Sequence, residues 1–114
     1  MAALAADSPL RVDITSETDG RFPPAVESAA YFVVAEGLAN AAKHADAETV
    51  TVTLTRTADL IRVTLTDDGH GGADPLGTGL DGLRRRVEAL DGTLTIASPP
   101  GGPTQLIAEF PCAS

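Results

Sequence analysis

The sequence predicts an α+β domain of two layers: a mixed, mostly antiparallel sheet with its helices packed on one face. Three observations predict it. Five short segments read as strands and two longer ones carry helical spacing. Their order is strand, helix, two strands, loop, helix, two strands. Strands joined by short turns pair antiparallel, and helices must cover one sheet face to complete a core.

The elements follow in chain order. Leu10 to Thr15 alternates apolar and polar residues, the pattern of a half-buried strand. Asp19-Gly20 marks a turn, and Pro23-Pro24 opens an alanine-rich helix over Ala25–Ala45 that contains one weak breaker, Gly37. Thr49 to Thr55 puts Val50, Val52 and Leu54 on one face, and Leu60 to Thr66 does the same with Ile61, Val63 and Leu65. The intervening Arg56-Thr57-Ala58-Asp59 is short enough for a hairpin, and the threonines read as the wet face of the sheet. Asp67 to Thr78, dense in glycine and aspartate, reads as a loop. Leu83, Val87 and Leu90 give helical spacing to Leu80–Leu90. Two final strands, Thr93–Ser98 and Gln105–Phe110, flank a Pro-Pro-Gly-Gly-Pro turn.

Size and charge set limits on function. The chain of 114 residues holds one core, with residues 1–9 as a short lead-in and residues 10–114 as the domain. Its net charge of −8 argues against a general nucleic-acid binder, whose affinity comes from neutralising phosphates. A nucleotide needs only local donors, so it stays open as a ligand. The single cysteine, Cys112, excludes an intrachain disulfide and reads as an incidental thiol. No apolar run approaches the ~18 residues that span a bilayer, and the first residues lack the pattern of a signal peptide.

Three constellations carry chemistry. Glu36 and Asn40 lie one turn apart on the long helix, in line with Ala29 and Val33, and Lys43 and His44 lie one turn further. A carboxylate on an apolar stripe neutralises, pairs or meets a ligand; a plain Glu36–Lys43 or Glu36–Asn40 surface pair is the alternative. Asp67-Asp68-Gly69-His70-Gly71 follows a strand directly. An aspartate there can hold an amino group while glycine lets backbone approach a ligand, although an Asp-Gly turn is also common. His70 reads as a solvated loop residue. Gly77-Thr78-Gly79-Leu80 heads the second helix, where free N–H groups bind anions, but it matches neither a Walker A nor a Rossmann pattern. Arg84, Arg85 and Arg86 point in three directions and make no single patch.

Together, Glu36-x-x-x-Asn40-x-x-Lys43-His44, Asp67-x-Gly69-x-Gly71 and Gly77-x-Gly79-Leu80 resemble the N, G1 and G2 boxes of the GHKL ATPase superfamily. That superfamily includes histidine kinases, type II topoisomerases, MutL-type repair proteins and 90-kDa heat-shock chaperones. Gly79 to Leu94, then Ser98 to Thr104, is similar to NarL/DesK-type sensor histidine kinases, and the resemblance runs from about Leu10 to Pro111.

The resemblance implies the Bergerat α/β sandwich and the binding of ATP with Mg²⁺. It implies that Asp67 accepts from the adenine amino group, that Gly69 and Gly71 let backbone pass the base, and that Thr104 supports Asp67. It places Asn40 on Mg²⁺, Lys43 and His44 on phosphate oxygens, and the N–H groups of Gly77, Thr78, Gly79 and Leu80 at the phosphates. Glu36 becomes the base or orienting group for a phosphoacceptor histidine. That acceptor sits on a separate dimerisation domain absent from this sequence, with relay to a response regulator. The implied setting is a cytoplasmic domain, and the missing dimerisation helices predict a monomer in isolation. With few apolar anchors, the glycine-rich loop over Gly69–Thr78 is expected to be disordered without nucleotide. Three departures stand out: the lid from His70 to Leu76 is short and lacks a phenylalanine box, Pro103 stands where this family often has glycine, and no phosphoacceptor domain is present, since neither His44 nor His70 lies in a helical acceptor motif. Two rival readings remain, an anti-sigma-type serine kinase and a degenerate, non-catalytic module used for protein contacts.

Overall fold

The computed structural model describes residues 11–16, 22–44, 48–57, 59–69, 78–97 and 103–111, with only the backbone described for residues 42–44, 78 and 79. The expected lead-in and most of the expected lid lie outside these residues. The elements are β1 (Arg11–Ser16), α1 (Pro24–His44), β2 (Thr49–Arg56), β3 (Leu60–Asp67), α2 (Thr78–Glu88), β4 (Thr93–Ala97) and β5 (Gln105–Pro111). They form one sheet in the order β1-β2-β3-β5-β4. β1 pairs parallel to β2. The other three pairings are antiparallel. The sheet is therefore mixed and mostly antiparallel, as the sequence predicts.

Proline at the first helical position suits α1, because its missing N–H would have no helical partner there, and the Pro23 carbonyl accepts the Glu27 N–H at 2.9 Å. The buried side chains of α1 are small or β-branched, Val26, Ala29, Ala30, Val33, Val34 and Ala41, with Leu38. Such a face lets the helix lie close to the sheet. The approach is tightest at Gly37, where a Cβ would sit 2.5 Å from a Leu65 methyl carbon. Leu65 is itself buried, so it has no free volume to move into. Gly37 is thus a contact point between α1 and β3 rather than a weakness in the helix.

The core lies between the helices and one sheet face: Val50, Val52, Ile61, Val63, Leu65, Leu106, Ala108 and Phe110 meet α1 together with Leu80, Leu83 and Val87 of α2. Burying a side chain of this size stabilises by about 1.5–3 kcal/mol relative to exposure. The opposite face carries Thr51, Thr53, Thr55, Thr64, Thr66, Thr93 and Thr95, all exposed or half-buried. Arg62 and Glu109 face each other across β3 and β5 on that side and bond at 2.6 and 2.9 Å.

The three arginines of α2 take three partners. Arg84 donates to the Leu94 carbonyl at 2.9 Å, Arg85 pairs with Asp81 at 3.0 Å, and the Arg86 guanidinium lies 3.9 Å from the Phe32 ring centroid. The first ties α2 to β4 and the third ties it to α1. The first and third are each worth about 0.5–1.5 kcal/mol, whereas the exposed Arg85–Asp81 pair adds about 0.2–0.5 kcal/mol.

α2 ends in a tight C-terminal turn. Gly92 N–H donates to the Val87 carbonyl and Asp91 N–H to the Glu88 carbonyl, both at 3.0 Å. Asp91 takes the left-handed conformation, φ 59°. A Cβ on Gly92 would lie 2.6 Å from the Glu109 carbonyl oxygen. This turn therefore has two special positions, and aspartate fills the one where glycine is usual. Replacing Asp91 by glycine removes Cβ strain but loosens the unfolded chain. We expect a net gain of about 0.5 kcal/mol or more, seen as a rise of a few degrees in thermal unfolding. An unchanged or lower midpoint would show that the Asp91 side chain stabilises the turn.

Element ends differ from expectation by one or two residues, and two differences bear on the site. Asp67 is the last residue of β3 rather than the first of the loop, because its N–H donates to the Thr104 carbonyl at 3.0 Å and extends the ladder. α2 begins at Thr78 rather than Leu80. Glycine lowers helix propensity, but Asp81 in the first turn favours a start there.

Candidate functional site

The topology brings the chemistry-bearing residues to one end of the sheet. β1 and β2 run parallel, so α1 between them must travel back in the opposite sense. β3 is antiparallel to β2 and therefore runs the same way as α1. The C-terminal half of α1, with Glu36 and Asn40, thus lies toward the end of β3 that carries Asp67. The Gly37–Leu65 contact fixes this register, two residues before Asp67. β5 starts at the same end, since Gln105 pairs with Thr66. α2 leaves the end where β3 finishes, and its C-terminal turn closes against Glu109 at the other.

Asp67 continues the face of Ile61, Val63 and Leu65, so its side chain lies on the helix-covered side of the sheet. It is 2% exposed. Burying a carboxylate requires donors, and two are present. Its Oδ1 accepts from the Gly69 N–H at 2.9 Å and the Thr104 N–H at 3.4 Å. Thr104 is 5% exposed and immediately precedes β5. With the Asp67 N–H also bonded to the Thr104 carbonyl, the two residues hold each other through backbone and side chain. Among the described residues, they are the buried polar ones.

Asp68 points the other way and is exposed. Its Oδ1 accepts from the Glu48 N–H at 2.8 Å and the Thr49 N–H at 3.0 Å. These backbone donors, Thr49 first and then Glu48, hold its carboxyl below the usual carboxylate range. The contribution of this clamp is present above the ordinary carboxylate pKa and is lost as pH falls through the lowered value.

Glu36 and Asn40 are half-buried and make no hydrogen bond or ion pair with another described side chain. Ala29 and Val33, behind them on the stripe, are buried. The pair therefore emerges from the core toward the site end with no partner among the described side chains. An amide oxygen such as that of Asn40 is a hard donor of the kind Mg²⁺ takes, and the donor set fits a cation shared with phosphate. Among the described residues no cluster of three or more His, Cys, Asp or Glu could hold a metal alone.

The remaining expected residues divide by what is described. Leu80 is buried at the head of α2 and anchors the helix start. Thr78 and Gly79 form its first turn, where backbone N–H groups are free of helical partners. Lys43 and His44 end α1 at the site end, with only their backbone described. Gly71 and Gly77, with His70 and Cys112, lie outside the described residues, as does most of the lid expected to be disordered. Sequence reasoning missed the division of labour between Asp67 and Asp68. Strand alternation contains it, since position 67 continues the inward series and position 68 does not. No described helix is long and apolar enough to cross a membrane.

Comparison with known proteins gives a consistent set of similarities. Residues 25–114 match the family model described as histidine kinase-, DNA gyrase B-, and HSP90-like ATPase. The oxygen sensor histidine kinase NreB of Staphylococcus carnosus is 38% identical over 96 residues, covering 80% of this chain and 28% of its own length. The histidine-protein kinase/phosphatase DegS of Bacillus subtilis is 32% identical over 100 residues, covering 82% of this chain and 26% of its own length. The chain thus spans about a quarter of these relatives. Among solved structures, the histidine kinase AdeS of Acinetobacter baumannii superposes with a TM-score of 0.76 at 16% identity, covering 99% of this chain and 59% of that one. The blue-light activated histidine kinase of Erythrobacter litoralis gives 0.73 at 24% identity, covering 96% and 38%. At these identities the structures speak for the fold.

Proposed function

Because the chain belongs to the histidine kinase-, DNA gyrase B-, and HSP90-like ATPase family, we propose that it binds Mg-ATP and presents the γ-phosphoryl group to a histidine on a separate dimerisation domain. The histidine then relays the group to a response regulator, in the cytoplasm. The observation that carries this reading is Asp67: a carboxylate 2% exposed, at the end of the sheet toward which Asn40 and the head of α2 converge.

In this reading Asp67 accepts from the adenine amino group. Gly69 N–H and Thr104 N–H hold the carboxylate in place, so little rearrangement is needed on binding. Gly69 and Gly71 leave room for the base. Asn40 would hold Mg²⁺ against the phosphates, and the ion would supply charge neutralisation there. Lys43 and His44 contact phosphate oxygens, and the N–H groups of Gly77, Thr78, Gly79 and Leu80 receive the phosphates at the head of α2. In the transfer, the bond from γ-phosphorus to its bridging oxygen breaks, a phosphorus–nitrogen bond to the acceptor imidazole forms, and ADP leaves. Glu36 orients the imidazole and takes its N–H proton. Positioning and charge neutralisation dominate such a reaction.

The test is thermal unfolding of the chain with and without Mg-ADP. A ligand at ~100 times its dissociation constant adds about 2.7 kcal/mol, which raises the midpoint by ~10 °C for a domain of this size. No rise in a folded chain at millimolar nucleotide would favour the degenerate module instead.

A further inference from the structure

We propose that Asp68, outside the nucleotide pocket itself, is a positioning residue that fixes the distance between the adenine end of the site and its metal–phosphate end. The inference rests on the nucleotide reading above.

Asp68 joins the end of β3 to the start of β2. Its carboxylate accepts from Glu48 N–H and Thr49 N–H, and its own N–H donates to the Thr49 carbonyl at 3.2 Å. Glu48 stands four positions after His44, the last residue of α1, and Thr49 opens β2. The Glu48 carbonyl in turn accepts the Arg11 N–H at 3.0 Å, so β1 enters the same knot. The start of β2 and the end of β3 therefore meet on one exposed carboxylate, and β1 joins them through the Glu48 carbonyl.

The geometry sets a division of labour between neighbours. Asp67 and Asp68 are adjacent in the chain and lie on opposite faces of the strand end. Asp67 faces inward and, in the proposed function, holds the base. Asp68 faces outward and holds Glu48 and Thr49, where β2 begins. A strand end is a place where the ladder stops and local opening is easiest. Here the ladder is continued past its last pair by a side chain that satisfies two backbone donors at once. Losing it frees Glu48 and Thr49, four and five positions beyond the end of α1, to shift relative to Asp67 while the core beneath, anchored by Gly37 on Leu65, stays packed. Displacements of about 1 Å in a positioning element can cost up to ~100-fold in ligand or transition-state recognition.

This arrangement separates two ligands. Adenosine engages the Asp67 end alone. Mg-ADP engages both ends and so depends on their spacing. The experiment measures affinity of the chain for adenosine and for Mg-ADP in the parent, Asp68→Ala and Asp68→Asn, with the unfolding midpoint of each ligand-free protein as a control for folding. Asparagine keeps the Oδ1 acceptor. In Asp68→Ala we expect Mg-ADP affinity to fall by about tenfold and adenosine affinity to change by less than about twofold, with most of the loss restored in Asp68→Asn. The proposal is overturned if both ligands weaken equally, if neither weakens, if asparagine behaves as alanine, or if Asp68→Ala does not fold. Absence of Mg-ADP binding in the parent would instead overturn the nucleotide reading on which the proposal stands.

Discussion

Asp67→Asn is expected to abolish the rise in unfolding temperature that Mg-ADP gives the parent chain, while leaving the ligand-free protein folded. The reason lies in how the carboxylate is used. Oδ1 is committed to Gly69 N–H and Thr104 N–H, which an asparagine oxygen can still accept. The second oxygen becomes an amide nitrogen, which donates. In the proposed complex that places a donor against the donating adenine amino group. A site built to accept, then presented with a donor, loses the bond and also leaves buried groups unpaired, an effect of about 1–3 kcal/mol or more. That is comparable with the whole ~2.7 kcal/mol of ligand stabilisation at a hundredfold excess. Thermal unfolding with and without Mg-ADP reads the result directly. A variant that is still stabilised to the parent's extent would remove Asp67 from the adenine site.

Glu36→Gln is expected to separate binding from chemistry. Glu36 sits half-buried, one turn before Asn40, with no described side chain paired to it. Glutamine preserves its shape and removes its capacity to take a proton. General-base assistance of this type contributes roughly 10²–10⁴-fold. If the proposed function holds, the chain joined to a dimerisation domain that carries the acceptor histidine should phosphorylate it ~100-fold or more slowly, while Mg-ADP affinity stays within about twofold. Equal losses in both would mean that Glu36 serves nucleotide binding, and no loss in either would return it to the role of a surface residue on a helix.

Much of the fold was legible because the strands obey a strict period of two. Val50, Val52, Leu54 and Ile61, Val63, Leu65 fall on the buried side without exception. The same rule, carried one step further, separates Asp67 from Asp68, yet composition masks it: two identical side chains before a glycine look like one turn. Gly37 shows a different limit. From sequence it is a poor helix former, and its purpose depends on Leu65, a residue 28 positions away that no local pattern connects to it. Gly92 is similar, since its neighbour is the carbonyl oxygen of Glu109. The candidate site was legible as an ordered set of residue types. Its assembly at one end of the sheet was not, because that follows from the parallel β1–β2 pairing combined with the antiparallel β2–β3 pairing. The three arginines of α2 show the reverse case: their spacing around a helix excluded a common patch, and their partners are indeed separate.

The position of β1 has a consequence for how the domain comes apart and together. This strand has a neighbour on one side only, and its inward residues Val12 and Ile14 are half-buried. It reaches β2 only after the chain has laid down all of α1, whereas β2 and β3 meet across a tight turn closed by Thr57 N–H on the Leu60 carbonyl at 2.8 Å. Loop-closure entropy therefore favours the β2–β3 hairpin as an early structure and β1 as a late addition. Conversely, β1 is the segment whose release exposes least apolar surface. In native-state hydrogen exchange its amides should open at a low free energy insensitive to denaturant. Those of β3 and β5, buried at Val63, Leu65, Leu106 and Phe110, should exchange only with the whole domain.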